Sequence, residues 1–155
     1  MVHGDKFMTH REFIGLIDET KVVAAIAAAE GLSTGEIRLF VKHRAVADAL
    51  AEARAHFTKL GMTQTAQRNA VLIFVAPLSR TFAIIGDEQV HLKCGAELWQ
   101  HITEDLGAAF RAGEWTQGLL HAIRQIGAEL TLHFPRTADH DPNELPDAIL
   151  RDEED

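Results

Sequence analysis

The spacing of hydrophobic positions changes along the chain, and each change predicts a new secondary structure element. Apolar residues between positions 22 and 27 fall on one stripe, which predicts a first helix that Asp18 caps and Gly31 ends. Residues 36–43 alternate apolar with charged side chains, as a strand near the edge of a sheet does. Residues 45–60 return to helical spacing and predict a second helix.

The next apolar segments predict the rest of the sheet. Residues 70–76, AVLIFVA, are apolar on both faces, which is typical of a central strand covered by helices on each side. The short PLSR segment can connect this strand to TFAII only as an antiparallel hairpin, whereas the helix before it allows a parallel pair. Two amphipathic helices follow, over residues 98–110 and 119–134. The pattern therefore predicts an α/β fold with a small mixed sheet flanked by helices.

Composition and charge narrow the class of protein. Hydrophobic residues make up 46% of the 155 positions and charged residues 25%, as in ordinary globular proteins. The net charge is −8, and residues 136–155 carry −6 of it. The rest of the chain is close to neutral and offers no basic face, so nucleic acid is not an expected partner. We predict a single domain over residues 1–135 and an acidic, extended tail over 136–155.

The single cysteine limits the possible disulfide and zinc sites, and the short apolar runs argue against a membrane span. Cys94 cannot form an internal disulfide or a multi-thiolate zinc site, and His91 adds only one further ligand, so a structural thiol is favoured. The longest apolar runs are well short of the roughly 20 residues that a membrane span needs. The first residues lack the basic start and apolar stretch of a secretory signal. The sequence thus predicts a cytoplasmic protein without a membrane span.

Polar residues are expected to meet where the first two strands begin and the third ends. Glu36, Asn69 and Asp87 occupy these positions, and Glu88 follows directly. All four offer hard oxygen donors, which suit Ca²⁺ and, with bound water, Mg²⁺. Arg68 could hold an anion such as phosphate on the same metal, because a guanidinium forks onto phosphate oxygens.

A purely structural interpretation of the same residues stays open. Gly86 and Asp87 form a common turn pair, and Asp87 or Glu88 can cap a short helix. Asn69 can equally be a turn residue at the start of a strand. The metal interpretation depends on the strand order inferred above.

Several ordered motifs carry a resemblance to a known family. The segments AAIAAAEGLSTGEIRLFV, LGMTQTAQRNAVLIFVAPLSRTFAIIGDEQVH, FRAGEWTQGLLHAI and HFPRTADHDPNELPD together resemble the TPM domain family of thylakoid-lumen phosphatase-like proteins, in particular a short bacterial branch. The resemblance implies a three-layer α/β/α sandwich and divalent-cation binding, to calcium in particular. It implies a ligand role for Glu36, Asn69 and Asp87. Many relatives have an acidic residue where this chain has Arg68, which removes one potential ligand.

Two functions from different classes follow. The first is a cation-binding accessory module that docks onto another protein, and the second is a metal-assisted acid phosphatase acting on phosphomonoesters. In the second, Asp87 or Glu88 would activate water. The sequence favours the accessory module, because no second carboxylate cluster and no evident nucleophile accompany the candidate ligands. The oligomeric state is left open.

Overall fold

A four-stranded mixed sheet forms the centre of the fold, in the order β3-β2-β1-β4. Strand β1 (Glu36–Val41) pairs in parallel with β2 (Ala70–Ala76), and β3 (Thr81–Gly86) runs antiparallel to β2. The short strand β4 (Leu150–Arg151) pairs in parallel with the end of β1. The computed structural model describes residues 8–136 and 149–152. The predicted mixed sheet is confirmed.

Strand β4 is a feature that hydrophobic periodicity did not predict. It lies within the segment 136–155, for which we predicted an extended tail, and most of that segment, residues 137–148 and 153–155, lies outside the described residues. The described part of the segment continues the sheet beside β1.

Helices pack on both faces of the sheet. Within the described ranges they are α1 (His10–Leu16), α2 (Glu19–Gly31), α3 (Ala49–Lys59), α4 (Glu88–Cys94), α5 (Ala96–Arg111) and α6 (Trp115–His133), with 3-10 turns at Met62–Gln64 and Pro77–Ser79. Helix α3 shares a hydrophobic cluster with one face of the sheet, whereas the other five helices share a larger cluster with the opposite face. This arrangement is the predicted three-layer α/β/α sandwich.

Successive side chains of the central strands point to opposite faces of the sheet and so contribute to both hydrophobic clusters. In β2, Val71, Ile73 and Val75 face the larger helical layer, and Leu72 and Phe74 face α3. Every residue of β2 is buried, which explains its uninterrupted apolar sequence.

Capping side chains set the helix boundaries. Helix α2 begins after Asp18, as predicted, because the Asp18 carboxylate accepts the N–H of Lys21. The second predicted helix, expected from residue 45, begins only at Ala49, because Asp48 accepts the N–H of Ala51 and fixes the start. Helix α1 was not predicted, since it is only seven residues long.

Strand β1 is buried throughout, including its charged residues. Strand β4 pairs only with the last two residues of β1. At Ile37, the side chains of Glu30 and Arg38 form the backbone hydrogen bonds that a neighbouring strand would form. The Ile37 N–H donates to Glu30 Oε2 at 2.8 Å, and the Ile37 carbonyl accepts from Arg38 Nη1 at 2.7 Å. Arg38 Nη1 also donates to Glu30 Oε2 at 2.8 Å. A buried ion pair thus replaces a neighbouring strand at this point.

Candidate functional site

Three strand ends meet at one edge of the sheet, as the predicted topology requires. The register places Glu36 beside Ala70 at the start of β1 and β2. On the other side of β2, the Asp87 N–H donates to the Ala70 carbonyl at 2.9 Å. Glu36 and Asp87 therefore flank Ala70, and Asn69 precedes it. Residues far apart in sequence are brought together in this way.

Close packing beneath the end of β3 fixes the position of Asp87. A Cβ added at Gly86 would lie 3.1 Å from Trp99 Cζ2 and 3.1 Å from Val90 Cγ1. A side chain at Gly86 would separate β3 from α4 and α5, so glycine allows the strand to turn directly into α4.

Asp87 serves as the N-cap of α4 and binds Arg68. Its Oδ1 accepts the Glu88 N–H at 2.8 Å, which satisfies a donor at the start of the helix. Arg68 donates from Nε to Oδ2 at 2.8 Å and from Nη2 to Oδ1 at 2.9 Å, a two-pronged ion pair. The hydrogen bond to Asp87 raises the pKa of Arg68. The arginine therefore occupies the carboxylate that the sequence predicted as a metal ligand.

The backbone around Arg68 holds this contact in place. Arg68 has a φ of 52°, in the left-handed region that non-glycine residues seldom adopt. Its carbonyl accepts the N–H of Gln89 at 3.1 Å, so the loop before β2 is tied to the first turn of α4. The Arg68 side chain is 43% exposed and lies at the rim of the edge.

Asn69 is almost completely buried and only partly satisfied. Its Nδ2 donates to Thr34 Oγ1 at 2.9 Å, and its backbone N–H donates to Thr65 Oγ1 at 3.2 Å. The Asn69 Oδ1 has no hydrogen-bond partner among the described residues, although the residue is 1% exposed. A buried acceptor without a partner is uncommon in native structures and marks a position where a ligand can contribute.

The carboxylates of the predicted set differ in environment. Glu36 is 2% exposed, and its Oε2 lies 3.7 Å from Arg38 Nη2. The Glu88 side chain is 60% exposed, and its Oε2 lies 3.7 Å from Arg68 Nη1. In the part of the chain that the structure describes, Glu36, Asp87 and Glu88 do not form a group whose ligand atoms all lie within 4.8 Å. The described edge thus brings oxygen donors to one side of the sheet, but its three carboxylates do not lie together as one ligand group.

A protein-family model and a solved structure both match this chain. The family model of the TPM domain covers residues 9–129, most of the chain. The chain belongs to the TPM domain family. An NMR structure of the BA42 protein from the psychrophilic bacterium Bizionia argentinensis superimposes with a TM-score of 0.79 at 32% sequence identity, over 98% of this chain and 100% of that one. A search of curated proteins returns no match.

A second polar group in this TPM domain was not predicted from the sequence. Cys94 at the end of α4 approaches Glu129 and His133 on α6, and their ligand atoms all lie within 4.8 Å of one another. Burial raises the pKa of the Cys94 thiol, and the nearby Glu129 raises it further. The four-residue spacing of Glu129 and His133 on a helix was a visible signal, but only the packing of α4 on α6 brings Cys94 to them.

Within residues 8–136 and 149–152, no helix combines the length and the hydrophobicity that a bilayer span requires.

Proposed function

We propose that this TPM domain binds a divalent cation, Ca²⁺ or secondarily Mg²⁺, at the edge formed by Glu36, Asn69 and Asp87, with Glu88 at its rim. In this proposal the cation-bound edge serves as an interaction surface for another protein. The observation that carries it is the buried Asn69 Oδ1, which has no hydrogen-bond partner among the described residues and lies next to the strand position that Glu36 and Asp87 flank.

The donor chemistry of the edge fits a hard cation. Its candidate ligands are carboxylate and amide oxygens, which calcium and magnesium prefer over the nitrogen and sulfur donors that zinc favours. A bound cation would give the buried Asn69 Oδ1 an electrostatic partner and would add to the positive charge that Arg38 already places 3.7 Å from Glu36 Oε2. The residues therefore fit the ion by chemical type.

Arg68 has to leave Asp87 before that carboxylate can bind a cation. The guanidinium contacts both Asp87 oxygens, so arginine and cation compete for the same negative charge. Because the Arg68 side chain is already 43% exposed, it can turn into solvent without burying its charge. Cation binding would then present an unpaired guanidinium at the rim, suited to an acidic or phosphorylated group on a partner.

A hydrolytic role asks more of Asp87 than a binding role does, because both require Arg68 to leave and only hydrolysis also requires a free oxygen that can take a proton. A general base must be within reach of the water it activates and able to take its proton. In this structure Asp87 accepts from Arg68 at both oxygens and from the Glu88 N–H. The position of Arg68 beside Asp87 is the feature that favours the alternative, a metal-assisted phosphatase, since a guanidinium can orient a phosphate.

Calcium titration followed by thermal unfolding tests the binding proposal. A ligand at 100 times its Kd stabilises the native state by about 2.7 kcal/mol, and each kcal/mol raises the Tm of a chain of this size by about 2–4 °C. We expect the wild type to gain stability with calcium, and Asp87→Asn to gain much less. Asparagine still caps a helix, so this variant removes ligand charge and leaves the N-cap. An equal gain in both proteins would place the ion elsewhere.

Turnover of an aryl phosphate separates the two functions. The accessory-module proposal predicts no turnover above that of a buffer control containing the same cation. Turnover that is lost in Asp87→Asn, with calcium-independent stability unchanged, would instead support the phosphatase.

A further inference from the structure

We infer that Cys94, Glu129 and His133 form a second cation site, for a transition-metal ion of the Zn²⁺ class. The site lies where the end of α4 packs against the last turns of α6, and it does not share residues with the oxygen-lined edge. It is independent of the calcium proposal.

The geometry of the three side chains carries the inference. Glu129 and His133 are four residues apart on α6, so they project from the same face of the helix. His133 Nε2 lies 3.5 Å from Glu129 Oε1. In a tetrahedral zinc site with bonds of about 2.0–2.3 Å, ligand atoms are roughly 3.5 Å apart. Cys94 Sγ lies within 4.8 Å of both partners, close to the separations that such a site requires.

The backbone holds Cys94 in this position. Cys94 is the last residue of α4, and Gly95 ends the helix with a φ of 83°, a conformation that few other residues adopt easily. The neighbouring Lys93 ammonium lies 5.2 Å from the centre of the Phe134 ring, a second contact between the ends of α4 and α6. The thiol is therefore presented to α6 by ordered structure.

The three donor atoms, one each of sulfur, nitrogen and oxygen, indicate which type of metal ion the site would bind. One sulfur, one imidazole nitrogen and one carboxylate oxygen suit zinc and similar ions, whereas calcium and magnesium bind oxygen donors. Three protein ligands leave a fourth tetrahedral position for water or an external ligand. The side chains of Glu129 and His133 are 29% and 28% exposed, so that position is accessible from solvent.

A cysteine nucleophile is the alternative use of the same three residues, and the surroundings of the thiol disfavour it. Nucleophilic cysteines are activated by neighbours that favour the thiolate. Here the Cys94 thiol is partly buried and one of its two polar neighbours is the Glu129 carboxylate, which does not favour a thiolate. A bound divalent cation would offset the negative charge that disfavours the thiolate.

Cobalt substitution tests the site with a readout specific to sulfur. Co²⁺ bound to a thiolate gives a sulfur-to-metal charge-transfer band, and Zn²⁺ should displace it. We expect the wild type to bind one Co²⁺ with this band. We expect Cys94→Ala to lose the band and to bind Zn²⁺ about tenfold or more weakly, and His133→Gln to show a similar loss of affinity.

The matched control is His121→Ala. His121 forms a comparable surface pair with Asp105, at 3.6 Å, without a cysteine. We expect this variant and Asp87→Asn to bind Zn²⁺ as the wild type does, which separates this site from the calcium edge. Zn²⁺ binding that is unchanged in Cys94→Ala, a wild type that does not bind Zn²⁺, or loss of binding in the His121 control would each overturn the inference. Circular dichroism of every variant establishes that binding is compared between folded proteins.

Zinc protection of the thiol gives a second readout that does not depend on the variants folding. We expect Zn²⁺ to slow alkylation of Cys94 in the wild type, and calcium at the same concentration to leave the rate unchanged. An alkylation rate that is the same with and without Zn²⁺ would contradict metal ligation by Cys94.

Discussion

Removing the Glu30 carboxylate should destabilise the domain strongly. Glu30 is 4% exposed and Arg38 1% exposed, and Glu30 Oε2 accepts both from Arg38 and from the Ile37 N–H at the edge of β1. Removing one partner of a buried ion pair costs about 3–5 kcal/mol, because the other charge stays buried. Glu36 Oε2, 3.7 Å from Arg38 Nη2, can compensate in part, so we expect a loss of about 3 kcal/mol in Glu30→Ala. The Tm should fall by about 6–12 °C.

Urea unfolding at neutral pH, followed by circular dichroism, measures this loss. Glu104→Ala is the control, because Glu104 lies on the exposed side of α5, and its replacement should change the free energy of unfolding by less than about 0.5 kcal/mol. A double variant, Glu30→Leu with Arg38→Met, removes both charges, but it also removes their contacts with the Ile37 backbone and with buried Glu36, so it should recover only part of the lost stability. A loss of less than about 1 kcal/mol in Glu30→Ala would show that Glu30 and Arg38 do not behave as a buried ion pair.

Three further predictions concern pH, capping and packing. Burial, together with Lys42, lowers the pKa of His56, so the unfolded chain binds this proton more readily and the free energy of unfolding should fall as pH drops below about 6.5. A stability–pH profile with the same slope in His56→Leu would contradict this assignment. Asp87→Ala should lose about 1 kcal/mol in urea unfolding because α4 loses its N-cap, whereas Asp87→Asn should lose less; equal losses would exclude a capping role. Gly86→Val should cost about 1–3 kcal/mol through overpacking against Trp99, and unchanged stability in urea would show that this contact can relax.

Much of the fold could be predicted because it depends on local patterns. The apolar run of β2 and the short connection to β3 determined a mixed sheet, since a four-residue link permits only an antiparallel neighbour. Strand β4 could not be predicted in this way, because two residues show no periodicity and their pairing with β1 depends on contacts distant in sequence. The burial of Arg38 could not be predicted either, because it depends on an ion pair with Glu30 on another element, α2.

At the candidate edge, too, the sequence predicted the placement of the strand ends but not the contacts between their side chains. Strand order alone predicted that Glu36, Asn69 and Asp87 approach one another, and the register confirms that placement. The sequence could not show that Arg68 contacts Asp87, because that contact depends on the left-handed backbone of Arg68 and on the start of α4. Whether these residues bind a cation stays a prediction.

Arg68 and a cation compete for Asp87, and this competition can be measured directly. Isothermal titration at equal ionic strength measures the calcium Kd of the wild type and of Arg68→Gln. The variant lacks the guanidinium charge that competes with the cation for Asp87. We expect both proteins to bind one calcium ion at the same edge, and Arg68→Gln to bind it more tightly. If neither protein binds calcium at millimolar concentration, or if Arg68→Gln binds no more tightly than the wild type, the proposed cation site at this edge is wrong.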